Sequence, residues 1–442
     1  MFNKYLFILA HQLGDPLFYS TYKKAIVNQF KTYDELKQEQ EKLLRKIIRF
    51  SYENVPFYHN VFSELKISPE DIKKLEDLEK LPIINKDIIK QNWEDFKPLN
   101  LKKLRYYNSS TGGSTGTPLM YRISHYDRFL AGALLYRGWG YADYKLGDKM
   151  VFLAGSSLNV GTKSSIIVKT HEIARNLKKL SSFDMEIQEM ENYTKIIKSF
   201  NPRFLRGYAS SINFFANYVN ENDKNIEFDA VFTAAEKLYP KVRKNIENVF
   251  SCDVFDGYGL YDGGASAYEC TEHNGLHIDT ERSITEIVDE NGSQINTGLG
   301  RIIATSLHNY AMPFIRYDTG DFGHLVSDTC ECGRGSRLLN EVIGRQQEIL
   351  QTPEGKFIHG EFFTHIFWEI NGVKEFQVIQ SKLDKITLRM VLEKNFDDKQ
   401  LDKIREIIKR RSSGWEIEFR CVDKIERTKA GKYKFVISEL GE

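Results

Sequence analysis

Short apolar runs alternate with helical patterns through the middle of the chain, and this alternation limits the possible folds more than any other feature. Apolar runs of this kind are typical of strands buried on both faces. The candidate strands are 150–154, 204–208, 230–234 and 254–256, and the helical patterns are 126–139, 190–200 and 241–250. Strands that alternate with helices predict parallel α/β layers.

The 442 residues exceed what one ordinary hydrophobic core accommodates. From about Gly275 the pattern changes to short strands and turns, and beyond Gly344 the remaining pieces resemble a small α+β unit. The expected fold class is α/β, with a large N-terminal domain of layered α/β subdomains (1–344) and a smaller α+β C-terminal domain (345–442). Before the α/β core, helical spacing predicts a helix over 35–52, and the capping pattern Ser68-Pro-Glu-Asp predicts another over 68–78.

Charge and composition exclude several functional classes. Basic and acidic residues number 62 and 61, so the formal charge of +1 gives no electrostatic reason to expect nucleic acid as a partner. The N-terminal apolar patch at 5–10 is shorter than a membrane span and has no small-residue cleavage site, so we expect a cytoplasmic protein without a transmembrane segment. The five cysteines are then thiols or metal ligands rather than a disulfide framework.

A run of glycines and small hydroxyl residues, Asn108-Ser-Ser-Thr-Gly-Gly-Ser-Thr-Gly-Thr-Pro118, stands between a candidate strand at 105–108 and the helical pattern at 126–139. Glycine permits close backbone approach, while hydroxyls and exposed amides donate to phosphate oxygens. The run therefore predicts a loop that holds phosphate. A flexible surface linker is the alternative interpretation.

Four later loops combine glycine with charged or aromatic residues. They read Asp256-Gly-Tyr-Gly-Leu-Tyr-Asp262, Arg316-Tyr-Asp-Thr-Gly-Asp321, Ile343-Gly-Arg-Gln-Gln-Glu348 and Arg427-Thr-Lys-Ala-Gly-Lys432. In this order, after the glycine-rich run, they resemble the motifs of the adenylate-forming enzymes, which include acyl-CoA synthetases and luciferases. Together with Tyr52-Glu-Asn-Val-Pro-Phe-Tyr58 and Leu81-Pro-Ile-Ile-Asn-Lys86, they are most similar to the phenylacetate-CoA ligase-like branch and its CapK-type members associated with capsular polysaccharide biosynthesis.

The resemblance implies an ATP site. Four residues of the glycine-rich run match those that hold the β- and γ-phosphates: Thr111, Ser114, Thr115 and Gly116. The lysine that many relatives place after the proline is Leu119 here, so charge stabilisation must come from a metal or from elsewhere in the chain.

Nucleotide and magnesium contacts also follow from the resemblance. Tyr258 corresponds to the residue that stacks on adenine, and Asp262 to a Mg²⁺ ligand, which is a suitable task for a hard carboxylate oxygen. Asp321 corresponds to the acceptor of the ribose hydroxyls, and Arg345 to a residue that holds the ribose or a phosphate. The alternatives are a packing tyrosine, loop-capping acids and a surface arginine.

The resemblance assigns catalysis to Lys432. A substrate carboxylate that attacks the α-phosphorus brings two anions together, and a cation between them stabilises the transition state by several kcal/mol in a shielded site. A solvated lysine in a basic tail is the alternative, since Lys429 and Lys434 lie nearby. Relatives rotate the C-terminal domain between half-reactions at a residue that is Gln347 here, where Asp or Lys is usual.

Cysteine and histidine also suggest a metal site. Cys330 and Cys332 lie on one tight turn, and Cys270 and His277 lie in an earlier stretch of the same domain. A set of three cysteines and one histidine is a recognised structural zinc site, although these spacings are not those of a standard finger. Three unpaired thiols in a core are the alternative, and His273 is the rival ligand to His277.

The resemblance implies an ATP- and Mg²⁺-dependent ligase that forms an acyl-adenylate from a carboxylic acid, releases pyrophosphate and transfers the acyl group, in capsular or surface polysaccharide biosynthesis. The acceptor is CoA, a carrier-protein thiol, or the amine of an amino acid or sugar. An aryl-CoA synthetase is one alternative. A non-catalytic nucleotide-binding scaffold is the other, because Leu119 and Gln347 depart from the pattern. The resemblance also implies that the acid binds between 204–213, 234–237 and 263–266.

Overall fold

The computed structural model describes residues 2–110, 119–154, 165–182, 185, 187–326, 329–345, 349–354, 357–359, 361–368, 370–393, 396–426 and 434–440. The chain divides into two compact units, Met1–Ile343 and Gly344–Glu442. Among the described residues, no helix combines the length and the apolar character needed to cross a membrane.

The first unit begins with helices. They are α1 (Phe2–Gln12), α2 (Phe18–Asn28), α3 (Tyr33–Asn54), α4 (Pro56–Leu65) and α5 (Lys86–Gln91). The helix predicted over 35–52 corresponds to α3, which starts at a capping box: Thr32 Oγ1 accepts from the Glu35 amide, and the Glu35 carboxylate accepts from the Thr32 amide at 2.8 Å.

The helix predicted over 68–78 is wrong. The chain forms two short 3₁₀ turns there, Pro69–Asp71 and Leu75–Lys80. Asp71 accepts from the Ser68 amide at 2.8 Å, and Asp77 accepts from the amides of Lys73 and Lys74 at 2.9 Å. These bonds to nearby backbone groups compete with the continuous hydrogen bonding of an α-helix.

A parallel sheet with helical crossovers follows, as the alternating pattern predicts. Its strands are β3 (Met150–Ala154), β4 (Leu177–Ser181), β5 (Phe204–Gly207), β6 (Ala230–Thr233) and β7 (Asp253–Phe255), in the order β4-β3-β5-β6-β7 and all parallel. The accompanying helices are α6 (His125–Trp139), α7 (Ser165–Arg175), α8 (Ile187–Phe200), α9 (Ala209–Glu221) and α10 (Pro240–Phe250). Before α6, strands β1 (Tyr106–Ser110) and β2 (Met120–Ser124) form an antiparallel hairpin.

A second, antiparallel sheet completes the first unit. It contains β8 (Gly257–Gly259), β9 (Ser266–Glu269), β10 (Leu276–Ile278), β11 (Ser283–Val288), β12 (Gly298–Ser306), β13 (Tyr317–Val326) and β14 (Leu338–Arg345), in the order β11-β12-β13-β14-β10-β9-β8. Three strands separate β8 from β13, which would place them about 20 Å apart in a flat sheet. The Tyr258 hydroxyl on β8 nevertheless lies 2.9 Å from the Asp321 carboxylate on β13, so the sheet curls strongly upon itself.

The second unit is the α+β structure expected from the sequence. It contains β15 (Ile349–Gln351), β16 (Phe357–His359), α11 (Glu361–Trp368), β17 (Val373–Lys382), β18 (Lys385–Leu392), α12 (Lys399–Arg411), β19 (Glu416–Cys421) and β20 (Val436–Ser438). Four strands form one sheet in the order β19-β18-β17-β20. Its core holds Trp415, Phe363 and Ile404, which are fully buried.

Candidate functional site

The segment 256–262 joins the two sheets of the first unit, because β7 ends at Phe255 and β8 begins at Gly257. Asp256 stands at the junction, where its Oδ1 accepts from the Thr233 hydroxyl at 2.7 Å and from the Gly257 amide at 2.9 Å. Burial raises the pKa of Asp256 despite these donors. The hydrogen bond from Thr233 attaches Asp256, the first residue of the tyrosine-containing motif, to the last residue of β6.

Tyr258 and Asp321 come together across the curled sheet. The tyrosine hydroxyl donates to Asp321 Oδ2 at 2.9 Å, and the Asp321 amide donates to the Thr319 hydroxyl at 3.1 Å. Burial, then the charge of Asp321, raises the pKa of Tyr258 well above its ordinary value, so its hydroxyl keeps its proton.

Asp262 lies close to this pair. It is 8% exposed, and its Oδ2 accepts from the Tyr317 hydroxyl at 2.9 Å. Its charge also contributes to the raised pKa of Tyr258, after burial and Asp321. The structure therefore brings Tyr258, Asp262 and Asp321 into one neighbourhood, although 63 residues separate Tyr258 from Asp321.

The loop 260–264, which contains Asp262, is held by a buried arginine that the motifs did not indicate. Arg282 Nη1 donates to the carbonyl of Leu260 at 2.8 Å, and Nη2 donates to that of Tyr261 at 3.2 Å. The same guanidinium pairs with Asp127 of α6 at 2.9 Å, and both side chains are 2% exposed. Because 155 residues separate the pair, only the fold reveals the contact.

Replacing Asp127 with alanine is expected to lower the free energy of unfolding by about 3–5 kcal/mol, because the substitution leaves the Arg282 charge buried without its partner. Urea denaturation followed by circular dichroism measures the change. Glu94→Ala, which removes an exposed ion pair with Lys97, is the control and should change stability much less. Equal changes in the two variants would contradict a structural role for Asp127.

The predicted phosphate residues Thr111, Ser114, Thr115 and Gly116 lie outside the described residues. The segment that contains them joins β1 to β2, with Ser110 opposite Met120 in the hairpin register. This corrects the expected strand–loop–helix order, because β2 intervenes before α6. Leu119 is 1% exposed and packs in a core cluster, which gives an apolar side chain at this position a structural reason.

A cavity of about 540 Å³ borders the hairpin and is lined in part by Lys90, Trp93, Asn108 and Arg122. The Arg122 guanidinium stacks on the Trp93 ring at 4.4 Å from its centroid, and its buried Nη1 has no hydrogen-bond partner among the described residues. Two cationic side chains therefore lie beside the strands that carry the glycine-rich segment. Neither Lys90 nor Arg122 belongs to a motif, so neither was expected from the sequence.

Lys432 and Gln347 lie outside the described residues. Arg345 is the last residue of β14, and its side chain also lies outside the described part. The roles assigned to Lys432, Gln347 and Arg345 therefore stay predictions.

The four predicted zinc ligands come together in the first unit. One ligand atom from each of Cys270, His277, Cys330 and Cys332 lies within 4.8 Å of all the others. Cys270 Sγ is 3.6 Å from Cys330 Sγ, and Cys332 Sγ is 3.3 Å from His277 Nε2. Cys270 follows β9, His277 lies on β10, and the other two lie between β13 and β14, so the cluster joins neighbouring strand ends of the curled sheet.

The histidine of this cluster is oriented for binding through Nε2. His277 Nδ1 lies 3.3 Å from the Ser336 hydroxyl, and burial, then Arg334 and Arg137, lowers the pKa of His277 to about 4. A neutral imidazole held at its other nitrogen is the form that binds metals. His273, the rival, instead contacts Glu269 at 3.2 Å and is not part of the cluster.

Known proteins resemble both units. Residues 350–439 match the family described as CapK C-terminal domain. Protein CapK of Staphylococcus aureus is 25% identical, over 94% of this chain and 92% of its own length. Phenylacetate-coenzyme A ligase of Thermus thermophilus is 26% identical, over 72% of each chain.

A solved structure, 2-hydroxyisobutyryl-CoA ligase in complex with 2-HIB-AMP, superposes with a TM-score of 0.74, covering 93% of this chain and 91% of the other at 19% identity. That similarity shows the fold, and the sequence relatives agree with it. The chain is therefore similar in sequence to CapK and to the phenylacetate-coenzyme A ligases, and it has the fold of the adenylate-forming ligases.

Proposed function

We propose that this protein activates a carboxylic acid with ATP and Mg²⁺, releases pyrophosphate, and transfers the acyl group from the acyl-adenylate to an acceptor in surface polysaccharide biosynthesis. The observation that carries the proposal is the meeting of Tyr258, Asp262 and Asp321 in one neighbourhood of an adenylate-forming fold. The match to CapK over nearly the whole chain, including the C-terminal unit, supports the polysaccharide role.

In the proposed complex, the Tyr258 ring lies against adenine, and Asp321 accepts hydrogen bonds from the ribose. Asp321 is suited to this task because it is 5% exposed and held by its neighbours, so it needs little reorganisation. Thr111, Ser114, Thr115 and Gly116 hold the β- and γ-phosphates, and Arg345 contacts the ribose or a phosphate.

Asp262 fits a role as ligand to Mg²⁺. Tyr317 occupies one carboxylate oxygen, and the other has no hydrogen bond among the described residues. When bound, Mg²⁺ would neutralise charge on the phosphates. Arg282 then acts indirectly, because it fixes the backbone on the N-terminal side of Asp262.

In the proposed reaction, residues 1–344 bind ATP and the acid, while residues 345–442 supply Lys432. The acid's carboxylate attacks the α-phosphorus, the bond to the bridging oxygen of pyrophosphate breaks, and the Lys432 ammonium stabilises the negative charge that develops between them. A rotation near Gln347 would then admit the acceptor, since a hinge depends on backbone freedom more than on charge.

The Cys270, His277, Cys330 and Cys332 cluster is proposed as a structural zinc site. Three sulfurs and one imidazole nitrogen are a soft donor set of the right number for tetrahedral Zn²⁺, and their mutual distances permit a shared ligand. A closed set of four protein ligands leaves no position for substrate, so the proposed role is to stabilise the fold.

Acid-dependent pyrophosphate release, measured with a panel of carboxylic acids in the presence and absence of CoA, tests the function. Release without CoA, with no thioester detected when CoA is added, would favour transfer to a carrier-protein thiol or an amine. Thioester formation from an aryl acid would instead favour the second candidate, an aryl-CoA synthetase, which the phenylacetate-coenzyme A ligase relatives support. No release with any acid would contradict both.

A further inference from the structure

Arg206 lies on the central strand β5 of the parallel sheet, next to its last residue Gly207. In the sheet register it is opposite Phe152 of β3 and Phe232 of β6, so it interrupts an aromatic face. Ligands of open α/β sheets bind beyond the carboxyl ends of the strands. The position therefore places a cation at the edge where the acid is expected.

The surroundings of Arg206 are apolar. Its guanidinium carbon lies 4.8 Å from the centroid of Trp139 and 5.3 Å from that of Phe152. The side chains with the largest electrostatic effect on it are Tyr268, Tyr261, Tyr136 and Tyr208, which are uncharged at neutral pH. Arg206 is half-buried, and desolvation of its guanidinium lowers its pKa.

Within the described part of the chain, the Arg206 guanidinium makes no ion pair with a carboxylate and no hydrogen bond. Three buried arginines of this unit are compensated: Arg137 pairs with Asp279 and Glu281, Arg282 with Asp127, and Arg316 with Glu286. Arg122, which stacks on Trp93, has no carboxylate partner among the described residues. A guanidinium in an apolar environment without a counter-charge lowers the stability of the fold. The aromatic contacts of Arg206 do not supply a counter-charge, so a bound anion is the remaining way to compensate it.

Arg206 is also linked to the segment that carries the proposed nucleotide and Mg²⁺ residues. Tyr261, whose hydroxyl acts electrostatically on Arg206, precedes Asp262 in the chain, and Tyr268 lies on β9 opposite Gly257 in the register with β8. The Tyr268 ring rests against Gly138 of α6, where an added Cβ would overlap the ring. Arg206 thus lies on the aromatic face of the parallel sheet and within electrostatic range of Tyr261, the residue before the proposed Mg²⁺ ligand.

We propose that the acid activated by this protein carries a second anionic group, which forms an ion pair with Arg206, and an apolar body, which contacts Trp139 and Phe152. The inference rests on the proposed function and specifies its substrate class. The carboxylate that reacts must face the nucleotide, so the group on Arg206 is a different one. A guanidinium surrounded by aromatic side chains also gives discrimination, because an analogue without the second anionic group would leave the charge unpaired.

The test compares acids in matched pairs that differ by one anionic group: phenylacetate with 4-carboxyphenylacetate, and hexanoate with adipate. Wild-type protein is expected to prefer the dianionic member of a pair by about 100-fold in kcat/KM for pyrophosphate release. Arg206→Met should remove that preference while retaining an aliphatic stem, and Arg206→Lys should retain part of it. The control is Arg203→Met, since Arg203 pairs with Asp148 and Asp229 before the start of β5.

Three results would separate the inference from the proposed function. A wild-type preference for the monoanionic acids, or an equal loss for both members of a pair in Arg206→Met, would overturn the inference while pyrophosphate release still supports the function. If no acid releases pyrophosphate, the function fails. The inference is then decided by thermal stabilisation with the same acids without ATP: it stands if the dianionic member raises Tm only when Arg206 is present, and falls otherwise.

Discussion

Replacing Lys432 with alanine is expected to lower the rate of acid-dependent pyrophosphate release by about 100- to 1000-fold, the typical effect of removing one group that stabilises developing charge. The loss should be large because the glycine-rich run 108–118 contains no cationic residue. Leu119, which follows it, stands where many relatives have a lysine, and its side chain packs in a core cluster. Single-turnover formation of the acyl-adenylate isolates the step. Thermal unfolding should show that the variant remains folded.

Lys434→Ala is the matched control for this prediction. Lys434 is two residues from Lys432, and its backbone carbonyl accepts from the Gln377 side chain at 2.7 Å, a contact that survives the substitution. We expect it to retain most of the wild-type rate. A Lys432→Ala variant that forms adenylate at the wild-type rate would refute the assignment, whereas wild-type protein that binds ATP but activates no acid would support the scaffold alternative.

Replacing Cys330 with serine is expected to remove the bound zinc and to lower the stability of the first unit. The cluster connects parts of the chain 60 residues apart, and a cross-link that closes such a loop contributes about 4 kcal/mol in the chain-entropy treatment of disulfides. Metal analysis of the purified protein should find one zinc per wild-type chain and much less in the variant, with a lower Tm.

Two controls separate metal loss from the loss of a thiol. Cys421→Ser changes an exposed cysteine of the second unit and should leave both zinc content and Tm unchanged. Treating wild-type protein with a strong chelator should lower its Tm toward that of Cys330→Ser, and the same chelator should have little further effect on the variant. A wild-type chain free of zinc, with the same Tm as Cys330→Ser, would favour the interpretation as core thiols.

The sequence predicted most of the parallel sheet because its strands are apolar runs separated by helical patterns. The edge strand β4 escaped notice because two lysines, Lys178 and Lys179, interrupt its apolar residues. The helix expected over 68–78 failed for another local reason, since Asp71 and Asp77 bind nearby backbone amides. Such competition depends on side-chain geometry that residue spacing alone does not contain.

The candidate site was predictable only where residue types formed motifs. Tyr258, Asp262 and Asp321 followed from resemblance, and the cluster of three cysteines and one histidine followed from the metal-binding chemistry of these residue types. Arg206 and Arg282 could not be predicted in this way, because the residues that surround each guanidinium come from distant parts of the sequence. Asp127 compensates Arg282 from 155 residues away, while Arg206 has aromatic neighbours contributed by α6 and β3.

The close contacts of two glycines bear on how substrate preference could change during evolution. A Cβ at Gly138 would overlap the Tyr268 ring, and one at Gly207 would overlap the carbonyl oxygen of Leu153. A larger residue at either position would therefore disturb the packing, so the backbone near Arg206 tolerates little change. Substitution of Arg206 itself leaves these contacts intact. A lineage could thus acquire a different acid by changing one side chain on an otherwise conserved backbone.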